Sequence, residues 1–120
     1  MRNFQSLIVW QRSHLLTLKV YRLTKQFPKE ELYGLTSQIR RSAASVPTNI
    51  AEGSGRNSNA EMRKFLIISS GSLSELEYQL ILSKELTYLP ENAFKELNTE
   101  ISEIRKMIFA FVQSLPTIPN

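Results

Sequence analysis

Between Phe94 and Leu115, the apolar residues Phe94, Leu97, Ile101, Ile104, Ile108, Phe111 and Leu115 recur at alternating steps of three and four without exception. A strand cannot place such a series on one face, because its side chains alternate with a period of two. A helix can. The spacing predicts a helix over about 91–115 that is covered along its whole length, since an apolar stripe in water is stable only against other structure. Its other faces mix Lys95, Glu96, Glu100, Glu103 and Lys106, which suits a solvated, salt-bridged surface.

The rest of the chain supplies three partners for that stripe. Over about 5–27, Leu7, Trp10, His14, Leu18 and Tyr21 form one stripe and Leu16, Val20, Leu23 and Phe27 a second on the opposite side, before Pro28 stops the helix. A helix apolar on two sides is expected to be buried on both. Over about 35–53, Leu35, Ile39, Ala43, Val46, Ile50 and Gly53 share a face, with Glu30 and Glu31 near the positive N-terminal end. Pro47 interrupts this pattern, because an interior proline removes a backbone hydrogen bond and disfavours helix for Val46, at about 3 kcal/mol. Either the helix ends and restarts or it kinks; the apolar period runs in phase across Pro47 and favours the kink. Gly53 and Gly55 suit the C-terminus, and Ser58 with Glu61 matches a capping box for a third helix over about 59–87. Met62, Phe65, Leu66, Ser69, Leu73, Leu76, Leu80 and Ser83 form its inward stripe. Gly71, unfavourable inside a helix by about 1 kcal/mol, points to close helix approach, with the Ser42–Ser45 segment as the natural neighbour. The tail from Pro116 to Asn120 is expected to be mobile.

Four long helices on short links make an all-α, antiparallel up-down-up-down bundle, with residues 1–120 as one domain. The second stripe of the first helix, with Tyr33, Ile67, Ile81 and Phe109, exceeds what one core needs and predicts oligomerisation. Cysteine is absent, which excludes disulfides, thiolate metal sites and a cysteine nucleophile and suits the cytoplasm. The apolar run Leu7 to Trp10 is too short for a signal segment or a membrane span, and so is the longer run Met107 to Val112. A soluble protein is expected.

Charge is unevenly placed. Residues 1–64 hold eleven Lys and Arg against four Glu, whereas residues 65–120 hold four against seven. A basic half suits either a polyanion or an acidic surface of a like subunit. Candidate phosphate contacts are Arg12, Lys19, Arg22 and Lys25 on the first helix and Arg56, Arg63 and Lys64 around the second interhelical turn, the bland alternative being a solvated flank. Trp10, Tyr21 and Phe65 fall on apolar stripes and are expected in the core, so binding to RNA or DNA would be mainly electrostatic, with little base reading. The turn containing Ser54, Gly55 and Arg56 is either a phosphate seat or an ordinary capped turn, and it lacks the Gly-Lys-Ser/Thr of a P-loop. Arg41, Asn49, Glu52 and Glu75 read as a structural polar network, with Glu75 as partner of Arg41 and Asn49 satisfying backbone freed by Pro47. His14 is the only histidine, without a nucleophile or acid near it in sequence. No catalytic constellation, metal spacing, cofactor or small-molecule substrate is indicated, and the chain reads as a non-enzyme.

The segments LIVWQRS, FPKEELYGLTSQIRRSAASVPTNIAEGSGR and FLIISSGSLSELEYQLILSKELTYL resemble the four-helix bundle proteins encoded in intervening sequences of bacterial 23S ribosomal RNA genes. The likeness covers nearly all 120 residues, with the fourth helix matching in character only. It implies an antiparallel bundle that assembles as a homopentamer and has no established enzymatic activity. A branch similar in fold, the accessory variability protein of diversity-generating retroelements, is a basic pentamer that binds nucleic acid and a reverse transcriptase. By that analogy the alternative to nucleic-acid binding is an assembly or adaptor role toward a protein partner such as a reverse transcriptase.

Overall fold

The computed structural model describes residues 2–117; of the expected mobile tail, 118–120 lie outside the described residues. It contains α1 (Ile8–Thr24), α2 (Leu35–Ser54), α3 (Asn59–Glu85) and α4 (Glu91–Ser114), with 3-10 turns at Phe4–Ser6 and Lys29–Glu31 and no strand among the described residues. Cross-helix bonds fix the directions. Thr17 meets Ala43 and Thr24 meets Arg40, so α1 and α2 run antiparallel. Ser45 meets Ser72 while Gly53 faces Met62 and Phe65, giving the same relation for α2 and α3. Arg105 pairs with Glu77 and Lys84 with Glu91 between α3 and α4, and Arg12 and Lys19 meet Glu103 and Glu96 to close α4 back onto α1.

One apolar core fills the square. Leu16, Val20, Ile39, Val46, Ile50, Met62, Leu66, Leu73, Leu76, Leu97, Ile101 and Ile104 are essentially inaccessible to solvent. Most hydroxyls that reach this interior bond the carbonyl four residues earlier, as Ser13, Thr24, Ser54 and Ser83 do at 2.7–2.8 Å, which removes the penalty for burying them. On α1 the inward series is Val9, Ser13, Leu16, Val20 and Thr24. The stripe through Trp10, His14 and Leu18 is only half-buried, and Tyr21, expected in the core, is exposed.

α2 runs through Pro47 without a break. The carbonyl four residues before it, that of Ala43, has lost its usual N–H partner, and Thr17 on α1 reaches it with a hydroxyl at 3.1 Å while also bonding the Ser13 carbonyl at 2.9 Å. The sequence assigns this repair to Asn49. Its amide donates instead to the Ser45 carbonyl at 2.8 Å, because a side chain two residues beyond the proline reaches back to position 45, not 43.

Close approach of α2 and α3 occurs at Gly53, not Gly71. A Cβ on Gly53 would sit 2.9 Å from the Phe65 Cβ and 3.0 Å from the Met62 Sδ, whereas a Cβ on Gly71 would meet nothing within 4 Å. Each helical residue turns roughly 100°, so Gly71 faces outward while Ser69 and Ser72 on either side of it face α2. Ser69 donates to the Val46 carbonyl and Ser72 contacts the Ser45 hydroxyl, both at 2.8 Å.

The first helix is shorter than the spacing predicts. A 3-10 turn capped by Asn3 precedes Ile8, and after Thr24 the amides of Gln26 and Phe27 turn back onto carbonyls three residues earlier. α3 also ends early, at Glu85. Thr87 takes φ 67°, and the amides of Thr87 and Tyr88 return to the carbonyls of Lys84 and Ser83, a Schellman closure with a β-branched residue where glycine is usual. Tyr88 then donates its hydroxyl to the Glu31 carboxylate at 3.0 Å, and that bond raises the phenol pKa above its ordinary value. Thr87→Gly is expected to stabilise the fold by roughly 1 kcal/mol, the left-handed strain it relieves. Urea denaturation checks this, and a lower midpoint contradicts it.

Candidate nucleic-acid interface

The cations of the α1–α2 hairpin divide into those neutralised within the fold and those left to solvent. Arg12 donates through Nε to Glu100 at 2.7 Å and through Nη2 to Glu103 at 2.8 Å, and Lys19 pairs with Glu96 at 2.5 Å. The two carboxylates raise the Arg12 pKa further above its already high value, so it stays charged at any pH the fold survives. Arg12 and Lys19 are two turns apart on the flank facing α4, whose glutamates occupy the matching turns. Expected as phosphate contacts, these two are engaged in the α1–α4 seam.

Arg22 and Lys25 face solvent, and neither forms an ion pair among the described residues. Arg40 joins them from α2. Its Nε donates to the Thr24 hydroxyl at 2.9 Å and its Nη2 to the Tyr21 carbonyl at 3.4 Å, with the guanidinium 4.9 Å from the centroid of the Tyr21 ring. No carboxylate among the described residues neutralises it, so stacking orients a charge that remains available. Arg41, on the opposite flank of α2, is exposed.

At the other end of the bundle, Arg56 bonds Glu52 at 2.9 Å, lies 3.9 Å from Glu61, and covers the Phe65 ring at 5.1 Å. Arg63 donates to the carbonyls of Leu115 at 3.3 Å and Pro116 at 2.8 Å, which ties down the start of the tail. Lys64 is exposed. Ser58 accepts the Glu61 amide at 3.1 Å, the bond expected of an ordinary capped turn.

The predicted polar network is dispersed. Glu52 serves Arg56 and Asn49 serves Ser45. Arg41 and Glu75 form no ion pair; both are exposed, so water solvates them separately, although they line one pocket of about 300 Å³ with Gln38, Ser42, Ser45 and Gln79. Gln79 carries no charge and so does not stand out in the sequence; its place one step before Leu80, in phase with Ser72, Leu76 and Ser83, is the available signal. A second concavity, about 840 Å³, lies between α1 and α2 and is lined by Trp10, His14, Thr17, Pro47, Glu52 and Arg56 among others. His14 stacks on Trp10 at 5.1 Å with the rings 7° from parallel. No described helix is long and apolar enough to cross a membrane, and no group of His, Cys, Asp and Glu among the described residues could hold a metal ion.

Four antiparallel helices with a solvent-facing set of cations on one hairpin define a basic four-helix bundle protein. The chain belongs to the 23S rRNA-intervening sequence protein family, whose sequence model matches residues 5–110. A crystal structure from Bacteroides thetaiotaomicron VPI-5482, of a protein with unknown function from the S23 ribosomal protein family, has the same fold. It superposes with a TM-score of 0.80 at 23% identity, covering 89% of this chain and 100% of that one. Comparison with curated protein sequences gave no significant match.

Proposed function

We propose that this chain is a non-enzymatic RNA-binding protein that works as an oligomer of identical subunits, five by the resemblance noted above. The observation carrying this reading is the set Arg22, Lys25 and Arg40, left without a carboxylate partner among the described residues while α4's glutamates neutralise Arg12 and Lys19, with Arg41 also unpaired on the other flank of α2. Cations that the fold does not use for itself suit phosphates, and membership of a family named for a 23S rRNA intervening sequence favours RNA as their source. Repetition of the same face around a ring multiplies a weak single-subunit affinity.

Oligomerisation is supported by apolar side chains without an intramolecular role: Ile67 is 58% exposed and Phe109 65%, flanking one groove between α3 and α4. The same exposure supports the adaptor reading, in which a protein partner covers this face.

Anisotropy titration of a structured RNA fragment over a salt series tests the proposal. Three to four phosphate contacts give a log–log slope of roughly −3. Absence of binding at low salt, or affinity that salt does not change, overturns it, and a monomeric mass in solution overturns the oligomer.

A further inference from the structure

We infer that the Tyr21 ring and the Arg40 guanidinium form a platform on which an unpaired RNA base stacks, an inference that rests on the RNA-binding reading and makes its substrate single-stranded RNA. Burial does not explain the ring. Tyr21 is 41% exposed in the last turn of α1, turned away from the core that its neighbours Val20 and Thr24 enter.

Arg40 gives the platform its shape. The guanidinium lies 4.9 Å from the ring centroid, oriented by the bonds from Nε to the Thr24 hydroxyl at 2.9 Å and from Nη2 to the Tyr21 carbonyl at 3.4 Å. Both groups are planar, and because the fold already holds them together, an incoming base has no partner to order. Nη1 makes no hydrogen bond among the described residues, which leaves a donor at the rim for a phosphate of the same strand.

The surroundings decide what the platform takes. Lys25 follows Tyr21 by one turn on the same face and Arg22 stands beside it, and neither forms an ion pair among the described residues. Cations around an exposed aromatic face attract a polyanion that also carries flat groups, and they repel a basic peptide. Away from the ends of a duplex the bases cover one another's faces, so only an unpaired base can add to the pair. Stacking on a ring or a guanidinium accepts any base, so base identity should matter little.

The test titrates a short single-stranded RNA and a long blunt RNA duplex at low salt against the wild-type chain, Tyr21→Leu, Tyr21→Phe and Arg40→Lys. Tyr21→Leu is expected to weaken the single strand roughly tenfold, within the range for loss of one stacked base, and the duplex by no more than about twofold. The salt slope should not change, because no charge is removed. Tyr21→Phe keeps the ring and should bind as the wild type does, whereas Arg40→Lys keeps the charge but loses the plane and should weaken the single strand more than the duplex. The ring is exposed, so Tyr21→Leu should melt as the wild type does. Equal losses on both RNAs overturn the platform, since the ring then only positions a cation for phosphates. Unchanged single-strand affinity also overturns it, including the case in which Tyr21→Leu alters the sedimenting mass and the ring belongs to a subunit contact. The RNA-binding reading stands in each of these cases. Binding of neither RNA at low salt overturns both readings.

Discussion

Arg22→Glu with Lys25→Glu is expected to weaken RNA binding by well over tenfold at low salt and to reduce the salt slope by roughly 2, one unit for each lost phosphate contact. The two side chains make no ion pair among the described residues, so the fold loses only the favourable placement of cations at the C-terminal end of α1, about 0.3–1 kcal/mol for each. Arg12→Gln is the informative control. It removes bonds to both Glu100 and Glu103, and with Arg12 about one-third exposed the expected loss is about 1 kcal/mol of stability, smaller in high salt, with the RNA slope unchanged. If Arg12→Gln harms binding more than the double reversal does, the phosphate surface lies along the α1–α4 flank. If the double reversal breaks the oligomer and leaves RNA affinity intact, the basic face meets acidic subunit surfaces and the adaptor reading replaces the proposed one.

Much of the architecture was legible because it rests on periodicity. The stripe from Phe94 to Ile108 is buried at each of its five positions, and the capping box at Ser58 closes as its residue types require. What was not legible depended on rotation about a helix axis or on a neighbour's identity. Arg12 and Arg22 are alike in sequence, and only the placement of α4's glutamates beside one of them separates a neutralised cation from a free one. Tyr21 reads as core by spacing, yet it turns outward and becomes the platform for Arg40, which makes the aromatic interleaving of the basic surface stronger than the sequence alone implied. The Thr87 turn had no sequence signal, because the residue that marks such closures is glycine and this chain uses threonine. The candidate site was legible as a set of cations and illegible as a surface.

The two helical glycines should respond to alanine with opposite signs. At Gly53 the new methyl would lie 2.9 Å from the Phe65 Cβ, an atom fixed to its backbone, and 3.0 Å from the Met62 Sδ. Phe65 has little room to withdraw, since Arg56 covers its ring and is itself held by Glu52. Separation of α2 from α3 would then open the contacts that Ser69 makes with Val46 and Ser72 with Ser45. Overpacking of this kind costs about 1–3 kcal/mol, and the better helix propensity of alanine offsets roughly 1 of that. At Gly71 there is no clash, so the propensity gain of about 1 kcal/mol stands alone and thermal melting should rise by a few degrees. Equal effects at the two sites would contradict the assignment of Gly53 as the point of closest helix approach. Gly71 also lines the α3–α4 groove with Ile67 and Phe109. A Gly71→Ala protein that melts higher but sediments as a smaller species would therefore locate the subunit seam on that groove, because a methyl that meets nothing within one subunit can clash only with another.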